Sequence, residues 1–374
     1  MRNRLRNSLL IIIVILTSCI EQFDPNINES NSARLVIECL ITNENAPHFA
    51  TLSRTKSIDL SLGSERIPGA IVTIKDDLNN SFGLIELSNG RYMTDTASFT
   101  PTVGRSYSLH VELPSGERYV SDMQEMLSPE PIGELTIMND VITSVSNNSD
   151  VESKVAKVIT NIPSSETPKY FWHEYEGVFA FETPKQGSED CFYDSLETPP
   201  PGPPVRCFAF EEVSSKLNLY SNDELQTTET DNPTLFTFYP SFKFSIAYNM
   251  LIKRYRISKD VYNYFDQIRL QQEFGGSLFD PPPTEILGNM AKIDNPDEHA
   301  LGMFIVATRT SKRTIIRPTD FKVEQLPNEA YPDCFPQQLP PPTPPELQPR
   351  PVDYCCDCRL YPNSSTTRPS YWNY

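Results

Sequence analysis

The sequence is short of the residues that most often carry catalytic and metal chemistry. Only 4 of its 374 residues are histidine. It contains no Gly-x-Ser-x-Gly elbow, no phosphate-cradling glycine loop and no dinucleotide fingerprint, so the commonest serine-hydrolase and nucleotide-binding mechanisms have no local signature here. His173-Glu174 opens like a zinc-protease motif, but Gly177 stands where the second histidine is required, and the pair reads as a histidine alternating on a strand face. His48, His110 and His299 have no partners at ligand spacing. Carboxylates are so numerous that no pair can be singled out for glycoside hydrolysis. No metal and no cofactor is expected, and the chain is read as a non-enzyme. Basic residues are also scarce, 32 against 49 acidic, for a formal net charge of −17. Such a surface repels phosphate, so nucleic acid is not an expected partner. Beyond the first 16 residues no apolar run is long enough to span a bilayer.

What is present begins with an address. Arg2, Arg4 and Arg6 precede an unbroken apolar run from Leu9 to Leu16, the n-region and h-region of a secretory signal. The run ends in Leu16-Thr17-Ser18-Cys19, which resembles the lipobox of bacterial lipoproteins. Residues 1–18 are therefore expected to be removed, and Cys19 to be lipidated as the new first residue. Loss of the three arginines takes the formal charge from −17 to −20. Acyl chains on Cys19 would hold the protein on a membrane, at about 0.8 kcal/mol per buried CH₂. Residues 19–33 are polar and read as a tether, with Glu21 and Asp24 resembling an acidic signal for display on the cell exterior.

Proline at 34 far outnumbers glycine at 14, and Phe and Tyr are plentiful, a mix that suits strands joined by stiff loops. A mainly β protein of two units is expected. In residues 34–128, alternating segments recur at Leu35–Ile41, Phe49–Ser53, Ala70–Ile74, Phe82–Leu87, Arg91–Met93, Ser106–Leu113 and Arg118–Val120, with turns at Asp76–Asn80, Asn89-Gly90 and Pro114-Ser115-Gly116. This spacing predicts an antiparallel β-sandwich. Gly69-Ala70, Gly90-Arg91-Tyr92 and Gly104-Arg105-Ser106-Tyr107 give it a resemblance to the immunoglobulin-like or transthyretin-like modules of bacterial surface proteins.

Pro129-Glu130-Pro131 reads as a hinge, and residues 132–330 as a larger β-rich unit with strands at Val155–Ile162, Tyr170–Phe181, Val205–Val213, Leu235–Ala247, Met250–Ile257, Leu301–Thr308 and Arg313–Arg317. One segment has helical period: Val261, Tyr264, Phe265 and Ile268, with Ser258 as N-cap and Gly275-Gly276 as stop. Proline clusters at Pro199–Pro204, Pro281–Pro283 and Pro340–Pro351 read as stiff extended loops, the last within a Pro- and Cys-rich tail, 331–374. Aromatics of the second unit, among them Tyr170, Phe208, Phe210 and Phe238, form the pool for a ligand surface, with Trp172, Tyr175 and Tyr239 as its leading candidates. Alternation puts Trp172 and Phe171 on opposite faces, so at most one of them is expected to be exposed.

Seven cysteines remain besides Cys19, an odd number in an oxidising compartment. Cys39, inside a strand, is the expected unpaired one. Cys191 and Cys207 flank the first proline loop and are expected to bridge it. Cys334, Cys355, Cys356 and Cys358 would then form two further bridges pinning the tail. The alternative, a four-thiolate metal site from the same cluster, lacks Cys-x-x-Cys spacing. Asp95-Thr96-Ala97 and Asp194-Ser195-Leu196 resemble a short O-glycosylation sequon of exported proteins, which makes Thr96 and Ser195 candidate modification sites.

Taken together, Leu35-Val36-Ile37-Glu38, the block Gly275–Pro283 with Gly288-Asn289 and Gly302-Met303-Phe304, the Cys355–Cys358 cluster and Arg368-Pro369-Ser370-Tyr371-Trp372 resemble the family of unknown function numbered 4249, lipoproteins of Bacteroidota. The resemblance implies an outer-membrane lipoprotein working beside a TonB-dependent transporter, and it implies no chemistry. The competing expectations are an adhesin-like envelope spacer, which would show a uniformly charged surface, and a hydrolase with an unfamiliar site, which would show a deep pocket with convergent carboxylates.

Overall fold

The computed structural model describes residues 34–55, 65–146, 149–182, 206–211, 217–223, 230–274, 285–322, 334 and 355–372. The first strands are β1 (Leu35–Thr42), β2 (Phe49–Arg54), β3 (Ile71–Asp76), β4 (Ile85–Ser88), β5 (Arg91–Met93), β6 (Ser106–Glu112) and β7 (Arg118–Ser121). Their alternation is the physical cause of the layering. In β1, Leu35, Ile37, Cys39 and Ile41 are buried while Glu38 faces the other way. Ile37, Leu52 and Tyr92 from one sheet meet Ile74, Leu109 and Val111 from the other, which closes the sandwich. Asn89 and Gly90 both take positive φ, 21° and 77°, the twist a tight hairpin between β4 and β5 requires. The two glycine-tyrosine motifs end in buried rings with pinned hydroxyls. Tyr92 Oη accepts from the Ala70 amide at 2.9 Å, and Tyr107 Oη accepts from the Thr102 amide at 2.8 Å.

The chain continues through β8 (Leu135–Ser146), β9 (Ser149–Thr160), β10 (Tyr170–Glu182), β11 (Arg206–Glu211), β12 (Thr234–Phe238), β13 (Ala247–Ile257), α1 (Lys259–Phe274), β14 (Met290–Lys292) and β15 (Phe304–Ile316). The described residues are mainly β, with one long helix among them. Its spine is a single large sheet in which Ser364–Ser365, β11, β10, β13, β15, β1, β2, β5 and β4 lie side by side. Strand β15 joins the two halves. Its residues Phe304–Ala307 run parallel to β1, and Thr308–Ile316 run antiparallel to β13.

This corrects the expected division at 132–330. Strand β14 pairs with β7, and Met290, Ala300, Phe304 and Val306 lie in the first hydrophobic core. The sandwich opened by residues 34–128 is thus closed by residues 290–307, from a distant part of the chain, and the β1–β15 pair makes it not wholly antiparallel. Leu301–Thr308 and Arg313–Arg317, expected as separate strands, are largely one strand, because the polar stretch between them runs along β13 rather than turning. Strand β8 was not expected, since its exposed, polar-rich sequence carries little alternation; Met138, Val141 and Val145 on it are exposed. The Pro129–Pro131 hinge is clamped. Arg254 Nη1 donates to the Pro131 carbonyl at 2.9 Å, Thr310 Oγ1 donates to the Glu130 carbonyl at 2.8 Å, and Lys169 pairs with the Glu130 carboxylate at 2.8 Å.

The large sheet is covered on its front face and over part of its back face. Its front face carries the β14-β7-β6-β3 layer at one end and the β8-β9-β12 layer at the other, where Ala156, Val158, Leu235 and Phe236 pack on Phe179, Tyr248, Met250 and Ile252. On the back face, α1 lies across the middle, its Val261, Tyr264 and Phe265 against Tyr255, Ile257, Ile305 and Ala307. Ser258 caps the helix as expected, its Oγ accepting from the Val261 amide at 3.3 Å. Further along that face, Trp372 of the C-terminal segment packs on Phe208, Val178 and Ala247. Among the described residues no helix is long and apolar enough to cross a membrane.

Candidate functional site

The back face is left open on the other side of α1. There the strand register sets side chains in rows across the sheet. Ile305, Leu40, Phe49, Met93 and Ile85 are successive cross-strand partners and form one apolar row from beneath the helix out to the edge strand β4. Its inner end is buried and its outer end exposed: Ile305 is 8% exposed and Ile85 55%. The row beside it holds Glu38, Thr51 and Arg91, again successive partners. Helix residues Tyr264, Phe265 and Ile268 form the wall above Leu40 and Met303. With Glu38, Leu40, Phe49, Thr51 and Ile305 they enclose an open groove of about 350 Å³, and Arg91, Met93 and Ile85 carry the two rows on past its lining. Gly302 sits at its rim with φ +80°, and a Cβ there would collide with the Ile37 carbonyl, so the close passage of the chain beside β1 depends on glycine.

The groove has an apolar floor and Glu38 in its lining, and Arg91 stands just outside it beyond Phe49. The Arg91 guanidinium lies over the Phe49 ring, 4.2 Å from its centroid. Neither Arg91 nor Glu38 has an ion-pair partner among the described residues. The Tyr264 hydroxyl is held above its ordinary pKa by burial and, second, by the Glu38 charge. Cys39 reaches the groove from the buried side, and burial pushes its thiol up to about 12, so it contributes no thiolate.

The structure does not gather the three candidate aromatics. Trp172 is half-buried beneath α1, stacked on Tyr255 at 4.5 Å and against Phe265 at 5.1 Å, while Phe171 is fully buried on the opposite face. Tyr175 packs edge-on against Phe236 at 4.8 Å and Phe238 at 5.4 Å, between the sheets. Tyr239 is exposed, next in sequence to Phe238. Trp172 and Tyr175 are therefore packing residues, and only Trp172 comes near the groove, through Phe265. Glu38, Phe49, Arg91 and Tyr264 were not singled out from the sequence. The signal was there in the phase of β2, which turns Phe49 to the side opposite buried Ala50 and Leu52.

His173 is fully buried in β10, its Nε2 accepting from Arg254 Nε at 3.0 Å. Burial and then the Arg254 charge push its pKa down to about 3, which makes it a neutral acceptor within the core. Among the described residues no three His, Cys, Asp or Glu side chains converge as a metal site. The cysteines of the tail are used otherwise. Cys207 bonds Cys358, not Cys191, and Cys334 bonds Cys355. The Cys207–Cys358 bridge is geometrically favoured because Ser364–Ser365 pairs with β11 and brings Cys358 beneath it. Cys356 is also disulfide-bonded, so the cluster holds no four-thiolate set, and Cys39 is free and buried. Thr96 is exposed in a turn capped by Asp95, whose Oδ1 accepts from the Ala97 amide at 2.9 Å. Cys19, Cys191 and Ser195 lie outside the described residues.

The sequence profile of a family described as a domain of unknown function, DUF4249, matches residues 20–313. The chain belongs to the DUF4249 family. The matched stretch takes in both sandwiches, α1 and most of β15, so every residue of the groove lies inside the DUF4249 region. The disulfide-tied segment around Cys358 lies beyond it. No curated protein matches the chain.

Proposed function

We propose that this DUF4249 protein is a surface or outer-membrane lipoprotein, anchored through lipid on Cys19, that serves a TonB-dependent transporter as a non-enzymatic accessory, holding ligand in the β1–β2–α1 groove. The observation that carries the reading is the place of the groove. Its floor is built on β1, the first strand after the tether. Residues 20–34 separate Cys19 from Leu35. Even fully extended, those 15 residues reach at most about 50 Å, at 3.3–3.6 Å each. A ligand held on β1 is thus kept close to the membrane surface, where a barrel opens. Confinement at that distance raises the ligand's effective concentration at the barrel mouth without any catalytic step.

Two features make binding rather than catalysis the better fit to the groove. It is open and aromatic, with one carboxylate in its lining and one guanidinium beside it over Phe49, and its single thiol is held protonated. The clamped Pro129–Pro131 segment and the shared sheet make the body a rigid platform on which such a face keeps its shape. The test is a mild-detergent isolation of the lipidated protein from its native outer membrane. A TonB-dependent barrel in stoichiometric amount is the expected companion. Repeated recovery of the lipoprotein alone overturns the reading in favour of an envelope spacer.

A further inference from the structure

We infer that the groove takes a short apolar peptide with free termini, its ammonium at Glu38 and its carboxylate at Arg91. This rests on the reading of the groove as the ligand-binding face and adds the class of ligand. Glu38 and Arg91 stand on either side of Thr51 in a single cross-strand row. With about 5 Å between directly opposed residues, their Cα atoms are about 10 Å apart. Both charges are exposed, and neither is neutralised by an ion pair among the described residues. A ligand that matches them carries a cation and an anion on an apolar body, at a spacing set by two strand intervals, about 10 Å at the backbone. A free amino acid is too short, whereas an extended chain at 3.3–3.6 Å per residue spans that distance with three residues.

The surroundings of each charge agree with this orientation. Glu38 lies close enough to Tyr264 for its charge to act on the hydroxyl, so an ammonium there meets a carboxylate and an aromatic ring together. Arg91 rests on Phe49 and presents a planar fork of donors suited to a carboxylate. The row Leu40–Phe49–Met93 runs parallel to the charged row and receives the apolar side chains. At about 350 Å³ the groove is at the small end of ligand clefts, which fits a few residues and not a long chain.

The experiment is calorimetric titration of the full mature protein with tri-leucine, with its N-acetylated form and with its C-terminal amide. Tryptophan fluorescence is a second readout, since of the two indoles Trp172 packs on Phe265 in the groove wall while Trp372 sits on Phe208 away from it. Tri-leucine is expected to bind, and each cap to weaken it by about tenfold or more, the usual consequence of losing one charge-assisted contact. Glu38→Gln is expected to abolish the discrimination against acetylation and leave that against amidation. Arg91→Gln is expected to do the reverse. Equal sensitivity of both variants to both caps overturns the assignment. So does a protein that ignores tri-leucine but changes its tryptophan emission with a neutral amphiphile such as octyl glucoside, and keeps that change in Trp372→Phe, an outcome that keeps the groove and rejects the peptide. Silence with every probe overturns the groove as a ligand site, while the association with a barrel is decided separately by the membrane isolation.

Discussion

His173 shows how a residue type that suggests chemistry is turned to packing. Its ring is neutral because a charged imidazole beside buried Arg254 would be desolvated and repelled at once. Folding therefore depends on pH in a defined direction. The folded pKa is pushed from 6.5 to about 3, and that of His48 to about 4. Their contributions are complete above pH 6.5 and are lost as pH falls through the window down to the folded values, because only the unfolded chain takes up these protons there. Denaturant titrations at pH 6.5 and 5 should show the unfolding free energy falling. In His173→Gln, which keeps an acceptor for Arg254, the fall should be shallower by one proton, about 1.4 kcal/mol per pH unit. An unchanged slope would mean that the imidazole is solvated. At Cys39 the expectation concerns reactivity. Its thiol, buried and pushed up to about 12, should resist iodoacetamide in the native protein and be alkylated only in denaturant, as read by mass spectrometry of the peptide that carries it.

At the scale of elements, strands with one buried face were legible and strands without one were not. The alternation of β1, β6 and β10 and the i, i+3, i+4, i+7 pattern of α1 each record a surface that must leave water. Strand β8 has little such surface and gave no signal. The tail was misjudged in its pairing for a different reason: neighbouring cysteines across a loop are a local cue, whereas Cys207 is 151 residues from its partner. The small Ser364–Ser365 strand, the Cys358 bridge and the Trp372–Phe208 contact at 5.1 Å jointly fasten the C-terminal segment on β11. Replacing Cys207 and Cys358 together with alanine should cost about 2–5 kcal/mol, the usual range for a native disulfide. Limited proteolysis should then cleave within 355–372 while the family region stays intact. Wild-type resistance in that variant would show that the strand and the indole suffice.

At the scale of the whole molecule, the two sandwiches share one sheet and should unfold together. Calorimetry should give a single transition, with the van't Hoff and calorimetric enthalpies in agreement. A fragment of residues 34–128 has its own run of strands but lacks β14 and the β15 partner of β1. It should show neither dispersed amide resonances nor cooperative melting, and a folded fragment would restore the two-unit organisation read from the chain. The groove belongs to this scale as well. Its floor unites β15, β1 and β2, and its wall is α1, so no contiguous segment contains it. By itself the sequence determined the β class, the site of the helix, the inward and outward faces of the alternating strands, the unpaired Cys39 and the family, because these are set by neighbours two to four residues apart or by linear pattern. Only the tertiary structure decided which distant segment closes the first sandwich, which cysteine meets Cys207, and that Glu38 and Arg91 stand in one row above an apolar floor. Those depend on strand register across the sheet, and register between segments far apart in the chain is fixed only when the whole core is packed.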